Sequence, residues 1–162
     1  MPSFSVLSKL EGIDPVTRQK AFTLVEVLVV VVIIGILTAI AVPNYTDYLT
    51  RSRITQATSG LSEKRMRMEQ FFQDNHTYYQ AGGGGVPAIS SPVCADDTTS
   101  SSYFDFSCPN PTATTYTLKA IGKSSMTGFT YTIDQANVKT TTAPAAWGNS
   151  NNCWITSKGG GC

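Results

Sequence analysis

The chain has 162 residues, of which 41% are hydrophobic and 14% are charged. This length allows one domain together with a membrane anchor. Lysine and arginine number 12, and aspartate and glutamate number 11. The balance excludes a strong overall field that would recruit nucleic acid or anionic lipid.

An apolar stretch runs from Phe22 to Val42 and is polar only at Thr23, Glu26 and Thr38. As a helix it would span about 32 Å, close to the hydrocarbon thickness of a bilayer. Basic residues precede it, and a positive flank is kept on the cytoplasmic side. The sequence therefore predicts one membrane span, with a cytoplasmic N-terminus and a translocated C-terminal part.

A secretory signal peptide and a plain membrane anchor are the simpler alternatives for this stretch. The candidate signal-peptide cleavage site, at residues 39–41, is followed closely by Pro43. The order of features argues against both alternatives: a polar, charged leader is followed by Lys20-Ala21, then by residues 22–26 and then by the apolar run. An ionised carboxylate such as that of Glu26 is also costly in hydrocarbon and is seldom present there without a function.

The order Lys20-Ala21-Phe22-Thr23-Leu24-Val25-Glu26 resembles the processing site of type IV prepilins, which carry a class III leader. In that family a membrane peptidase cuts on the cytoplasmic side, before the aromatic residue, and methylates the new N-terminus. The resemblance implies that residues 1–21 are removed, that the cut lies between Ala21 and Phe22, and that Phe22 is N-methylated. The family usually has glycine where this chain has Ala21, and we expect processing to survive.

The resemblance also implies a role for Glu26. Its carboxylate would pair with the ammonium group of Phe22 in a neighbouring subunit and so set the axial register of helices in a filament. Opposite charges attract strongly at low dielectric, which offsets part of their desolvation. The alternative is a glutamate that reaches the membrane interface, because Glu26 lies about 7 Å from the helix start.

Gly35 and Pro43 are helix-weakening residues within or at the end of the span. The resemblance implies that the helix bends or melts locally between them when the subunit leaves the bilayer, which would make a filament extensible. The alternative is a glycine that allows close packing and a kink at the membrane surface.

Beyond Pro43, apolar residues recur at three- and four-residue steps, which predicts an amphipathic helix. These residues are Tyr45, Tyr48, Leu49, Ile54, Ala57, Leu61, Met68 and Phe72. One helix should run from Phe22 to about Asp74, with residues 22–43 in the membrane or filament core and residues 44–75 packed on a head. Met66, Met68, Phe71 and Phe72 are predicted to be core residues.

The remaining chain reads as loop followed by sheet. Residues 76–112 are rich in glycine, proline, serine and threonine and should form a connecting region. Within residues 113–162, strands are predicted at 115–121, 128–133 and 138–142, the last of them after a turn at 134–137. An antiparallel sheet of three or four strands would cover the helix, giving an α+β fold, as the resemblance to type IV pilins also implies.

Four cysteines, Cys94, Cys108, Cys153 and Cys162, lie in the part predicted to be translocated, where a periplasm would oxidise them. Three pairings are possible. We favour Cys94 with Cys108 and Cys153 with Cys162, and the second pair resembles the C-terminal disulfide loop of pilins. Zinc is the competitor, but neither pair has CxxC spacing.

No catalytic, cofactor or metal site is expected. A nucleophile needs a base, and the sole histidine, His76, lies in a predicted turn after the helix. Two adjacent carboxylates at Asp96 and Asp97 are more often a hydrated turn than a calcium site. We therefore expect a protein that is not an enzyme.

The resemblance implies a structural subunit of a bacterial type IV pilus, with roles in cell adhesion and twitching motility. It is most like the PilE-type minor pilins of type IVa systems, which promote assembly. A major pilin and a type II secretion pseudopilin are alternatives, and so is a pilin-anchored DNA-uptake or ligand-binding module. From residue 76 onward the charges balance, so no nucleic acid partner is expected.

The implied partners are other pilin subunits in a helical filament, the prepilin peptidase and methyltransferase, the inner-membrane assembly platform, and membrane lipid before assembly. The implied location is the inner membrane, crossed once with the C-terminal part in the periplasm, and then the extracellular pilus.

Overall fold

The computed structural model describes residues 22–83 and 88–162. One helix, α1, covers Leu24–Asn75 and contains Pro43. It ends where His76 takes a left-handed backbone conformation, with φ 56°, and donates its N–H to the Phe72 carbonyl at 2.7 Å. The chain divides into two compact units between residues 41 and 42, and the predicted leader, residues 1–21, lies outside the described residues.

In the first unit, the apolar part of α1 has exposed side chains along its whole length. Exposed fractions of the large apolar residues range from 48% at Val29 to 79% at Phe22 and Leu24. The most apolar 18-residue window of α1 has a mean hydropathy of 3.0, and α1 is long and apolar enough to cross a membrane. Side chains that are apolar on every side require an apolar environment around the helix.

In the described residues of the second unit, 42–83 and 88–162, six strands form two antiparallel sheets. Their bounds are β1 Tyr79–Gln80, β2 Ile89–Ser90, β3 Phe104–Ser107, β4 Thr117–Gly122, β5 Thr130–Asp134 and β6 Lys139–Thr142. β1 pairs with β2, and the larger sheet has the order β3-β4-β5-β6. Short single-turn helices cover Pro92–Cys94 and Ser124–Met126.

The core lies between the inner face of the larger sheet and the second part of α1. From α1 it takes Ile54, Ala57, Leu61 and Met68, each at most 1% exposed. The sheet contributes Phe104, Phe106, Leu118, Ala120, Tyr131 and Ile133, which alternate with outward-facing residues along their strands. Buried residues thus recur every 3.6 residues on the helix and every 2 residues on the strands. Each element therefore has one apolar side, and the packing of these sides on one another gives the α+β head.

Gly60 brings α1 close to the sheet. A Cβ at this position would lie 2.6 Å from the ring atom Cζ of Phe106, which is only 4% exposed. Glycine weakens a helix by about 1 kcal/mol relative to alanine. Here that cost is offset by the close packing that a bare backbone allows.

A turn joins β5 to β6 at the predicted position, residues 134–137. The Asp134 carboxylate accepts the N–H of Val138 at 2.8 Å, and Asn137 adopts a left-handed φ of 63°. Asparagine tolerates this conformation better than most residues. The alternation of the sequence thus predicts β4, β5 and β6 with bounds within about two residues of those observed.

β3 was not predicted, because it lies within the expected connecting region, residues 76–112. Its four residues are flanked by a Ser/Thr run and a Cys-Pro pair, which read as loop. It nevertheless supplies two core phenylalanines and one edge of the sheet.

Three helix residues expected on the packed side of α1 are exposed. Met66 is 67% exposed because it lies two residues, or about 200° of helical rotation, from the buried Met68. Tyr45 and Tyr48 are 62% and 70% exposed, and the buried residues of α1 begin only at Ile54.

Both edges of the larger sheet carry an additional bridge. On the β3 edge, Asp97 and Phe106 exchange two backbone hydrogen bonds of 2.9 Å. On the β6 edge, Thr141 and Ser150 exchange bonds of 2.7 and 2.9 Å. Loop segments thus occupy backbone groups that edge strands would otherwise expose.

Candidate functional site

Thr23 caps the start of α1 and places Glu26 in the first turn. The Glu26 N–H donates to the Thr23 hydroxyl oxygen at 3.2 Å, directly before the first helical residue, Leu24. Thr-x-x-Glu at a helix start is the sequence signature of a capping box. The positive end of the helix dipole also favours a carboxylate here. The sequence contained this local signal, but the interpretation of Glu26 missed it.

The predicted cleavage bond joins a described residue to one that is not described. Phe22 is 79% exposed, and Ala21 lies outside the described residues. Within a single chain, the Glu26 side chain lies four residues from the predicted new N-terminus. The pairing of Glu26 with Phe22 between subunits stays a prediction.

Gly35 and Pro43 both lie inside α1. A Cβ added at Gly35 would meet nothing within 4 Å, so packing within this chain does not require glycine there. Thr38 donates its hydroxyl to the carbonyls of Ile34 and Gly35, at 2.8 and 3.0 Å. Pro43 has no N–H for the helical hydrogen bond to the preceding turn. A flexible segment between these two residues stays a prediction.

Two disulfides hold the loops of the head. Cys94 joins Cys108 with a Cα–Cα distance of 4.6 Å, and Cys153 joins Cys162 at 5.9 Å. Of the three possible pairings, these are the pairs favoured from the sequence. They close loops of 15 and 10 residues, which the chain-entropy relation values at about 3 and 2.7 kcal/mol.

The terminal disulfide loop is fastened to both the sheet and α1. Ile155 is 1% exposed, and its carbonyl accepts the Tyr131 hydroxyl at 3.0 Å. Its N–H donates to the Thr141 hydroxyl oxygen at 3.0 Å. Lys158, further along the loop, forms an ion pair of 2.6 Å with Asp47 of α1. The loop therefore has a fixed position in the head.

Four cations of the head are paired with carboxylates. The pairs are Lys64–Asp97 at 2.8 Å, Lys123–Asp105 and Lys158–Asp47 at 2.6 Å, and Arg67–Glu63 at 2.5 Å. In the part of the chain that the structure describes, Lys119 and Lys139 make no ion pair. The ion pairs therefore neutralise cations of α1, of the terminal loop and of the segment after β4, and they leave the two lysines of the sheet strands unpaired.

The Asp97 carboxylate is bonded to donors within the head. Its oxygens accept hydrogen bonds from the Lys64 ammonium, the Ser100 hydroxyl and N–H, and the Thr99 N–H. These bonds, led by the one from Lys64, hold the pKa of Asp97 well below its usual range. Across residues 22–83 and 88–162, no group of three His, Cys, Asp or Glu residues could hold a metal ion.

One buried network of the head has no local sequence signal. The Glu69 carboxylate accepts the hydroxyl of Tyr78 at 2.9 Å and that of Tyr116 at 2.6 Å. Burial and the negative charge of Glu69 raise the pKa of Tyr78 to about 12 and also raise that of Tyr116. Residues 69 and 116 lie far apart in sequence, so only the folded chain brings them together.

Comparison with known proteins identifies the class. A family model described as "Prokaryotic N-terminal methylation motif" matches residues 16–42. Together with the apolar helix and the disulfide-bonded head, this match defines a type IV pilin. The chain belongs to the family described as "Type IV minor pilin ComP, DNA uptake sequence receptor", whose model matches residues 43–143.

Several pilins share part of the sequence. A fimbrial protein of Pseudomonas aeruginosa is 51% identical over 51 residues, or 32% of this chain and 33% of its own length. The type IV major fimbrial protein FimA of Dichelobacter nodosus is 35% identical over 88 residues, which cover 48% of this chain and 55% of FimA. The type IV major pilin protein PilE1 of Neisseria gonorrhoeae is 30% identical over 77 residues, which cover 48% of this chain and 36% of PilE1. The matches therefore span between a third and just over half of these relatives.

Among solved structures, the comparison finds a match to the Neisseria meningitidis non-core minor pilin PilV. The TM-score is 0.46 and the sequences are 12% identical, with 61% of this chain and 92% of that chain covered.

The Glu69 network predicts a loss of stability at alkaline pH. The ordinary tyrosine pKa is 10.0, and that of Tyr78 is about 12 in the folded chain, so folding favours the neutral phenol. This contribution is complete below about pH 10 and is lost as the pH rises toward 12. Thermal unfolding followed by circular dichroism, with tyrosinate absorbance on the same samples, measures both effects.

The matched variants are Glu69→Gln and Glu63→Gln. Glu69→Gln removes the charge beside both phenols, so their ionisation should begin at lower pH than in the wild type. Glu63→Gln changes an exposed glutamate of the same helix that pairs with Arg67, and it should titrate like the wild type. Equal tyrosine titration in all three proteins would contradict the network.

Proposed function

We propose that this protein is a minor subunit of a bacterial type IV pilus and that its head binds DNA during uptake. The observation that carries the proposal is the match of residues 43–143 to the ComP family model. That range includes α1 beyond residue 42, both sheets and one of the two disulfides. The family description names a DNA uptake sequence receptor, and we extend that role to this chain.

A minor pilin is favoured over a major one by the part of the chain that matches. The major pilin relatives FimA and PilE1 each match 48% of this chain, whereas the minor pilin model spans residues 43–143. Assembly promotion, adhesion and twitching motility remain compatible with the same filament position. They rest on resemblance to pilins, without a feature of this head that favours them.

Because four cations of the head are paired with carboxylates, electrostatic attraction would contribute little to a DNA contact. The sequence balance led to the expectation of no nucleic acid, and four of the cations are indeed paired with carboxylates. Lys119, on the outer face of β4, stays available for phosphates, whereas Lys139 is in register with the inward-facing Ile133 and lies over the Trp154 ring. Binding of this kind would depend on base or shape recognition more than on counterion release.

The N-terminal part supports the proposed route to the filament. We infer removal of residues 1–21 by a prepilin peptidase, with methylation of Phe22, and insertion of residues 22–43 in the inner membrane. The C-terminal part would face the periplasm. The assembly platform would then extract the subunit into the pilus, where residues 22–43 would exchange lipid for the helices of other pilin subunits. Gly35 and Pro43 would let this segment change its helical geometry on the way.

N-terminal processing is tested by the intact mass of the protein isolated from its native membrane. We expect a chain that starts at Phe22 and carries one methyl group. A chain that still contains residues 1–21, or one cut after residue 41, would contradict the proposed processing.

The role of Glu26 is tested by two variants that separate charge from helix capping. Glu26→Gln removes the charge, and Thr23→Ala removes the cap, which contributes about 1 kcal/mol. If Glu26 pairs with a neighbouring N-terminus, Glu26→Gln should stay in the membrane but be excluded from filaments, while Thr23→Ala should still assemble. Quantitative immunoblotting of membranes and sheared pili measures both. Equal incorporation of both variants would refute the pairing.

DNA binding is tested with the full chain in detergent and labelled duplex DNA over a range of salt concentrations. We expect binding at low salt and a slope of log K against log salt of about −1, because one phosphate contact, from Lys119, contributes about −0.9. The variant Lys119→Gln should reduce the slope, while Arg67→Gln should leave it unchanged. Absence of binding at low salt would overturn the proposed function.

A further inference from the structure

A groove of about 430 Å³ lies in the head between α1 and the terminal disulfide loop. One wall is formed by Thr58, Ser59 and Ser62 of α1, and the other by Lys139 and Trp154. The terminal disulfide closes one side of it. The volume is at the lower end of the range for small-ligand sites and is far too small for a DNA duplex.

The hydroxyls on the helix wall face the groove as hydrogen-bond acceptors. Each donates its proton to a carbonyl of the preceding turn: Thr58 and Ser59 to Thr55, at 3.2 and 2.7 Å, and Ser62 to Thr58, at 2.8 Å. A hydroxyl has one proton and two lone pairs, so what remains on each oxygen is acceptor capacity. A ligand that fits this wall must bring N–H or O–H donors, and phosphate oxygens do not.

The opposite wall is an aromatic platform held in place. The Trp154 indole N–H donates to the Thr132 carbonyl at 2.8 Å, and the ring is half-buried beside the core. The Lys139 ammonium lies 4.7 Å from the ring centroid. The flexible, half-exposed side chain of Lys139 therefore covers the ring face of Trp154. A planar ligand would displace this side chain from the ring. Rigid aromatic rings of this kind are the surfaces on which unpaired bases stack.

We propose that this groove binds one unpaired base of single-stranded or locally opened DNA, stacked on Trp154. The base would present an amino group to the hydroxyls of Ser59 and Ser62, and Lys139 would move from the ring to a neighbouring phosphate. Adenine and cytosine carry an exocyclic amino group with two N–H donors, whereas an unpaired thymine brings a single donor, its ring N3–H, between two carbonyl acceptors. The groove should therefore prefer adenine or cytosine to thymine. This inference rests on the proposed DNA-uptake function.

The test uses the full chain in detergent with labelled oligo-dC, oligo-dA and oligo-dT of about 12 nucleotides. We expect tighter binding of oligo-dC and oligo-dA than of oligo-dT, with quenching of tryptophan fluorescence. The second tryptophan, Trp147, is 5% exposed, so quenching reports on Trp154. Trp154→Leu should weaken oligo-dC binding by about 5- to 150-fold, the range found for the loss of one stacked base.

The double variant Ser59→Ala/Ser62→Ala tests the hydroxyl wall without endangering the fold, because alanine is a better helix former than serine. It should bind oligo-dT nearly as well as oligo-dC. Tyr48→Ala, which removes a 70% exposed aromatic side chain outside the groove, is the matched control and should bind like the wild type.

The outcomes separate this inference from the proposed function. Duplex binding together with equal affinity for all three oligonucleotides, in wild type and variants, would overturn the groove and leave the uptake function standing. Preference for a neutral oligosaccharide over every oligonucleotide, with quenching of Trp154, would also overturn it. If neither duplex nor single strands bind, the proposed function fails as well.

Discussion

The head depends on one packing contact, the burial of the apolar side of α1 beyond Ile54 against the inner face of β3 to β6. The larger sheet and the two disulfides lie around this contact, and of the four strands of this sheet only β4 exceeds five residues. Short strands of this kind are marginal without an apolar partner, which the helix supplies. The bare backbone at Gly60 and the ring of Phe106 set how closely the two layers approach. The fixed position of the terminal loop follows from the same layer, because Ile155 is bonded to Tyr131 in the sheet.

The sequence predicted those features whose signals are local. The length of the apolar run predicted the first part of α1, and helical periodicity predicted the second part. Alternation predicted β4 to β6, since burial imposes periods of 3.6 and 2 directly on the residues. The short strand β3 was missed because its alternating pattern covers only four residues and is flanked by residues that are typical of loops. The prediction of Met66 as a core residue is wrong because apolar character alone does not give the side of the helix, and Met66 lies two residues, or about 200° of rotation, from the buried Met68. The Glu69 network depends on residues that only folding brings together, and no local pattern encodes it.

Electrostatics and family membership lead to different expectations, and the ion pairs explain how both can hold. A balanced charge argues against strong non-specific attachment to DNA. A receptor for a particular DNA sequence does not need such attachment, and weak general affinity improves the ratio of specific to non-specific binding. In this head, carboxylates engage Lys64, Lys123 and Lys158. Recognition would then fall to surfaces that offer hydrogen bonds and aromatic faces, of which the groove beside Trp154 is one.

The bridges on both edges of the larger sheet bear on solubility at high local concentration. Exposed edge strands are templates for strand addition between chains, which leads to aggregation. In this head, the backbone of Asp97 forms hydrogen bonds with β3, and the backbone of Ser150 forms hydrogen bonds with β6. Heads crowded side by side along a pilus would therefore meet through side chains and loops, and the route to a continuous intermolecular sheet would be obstructed at both ends.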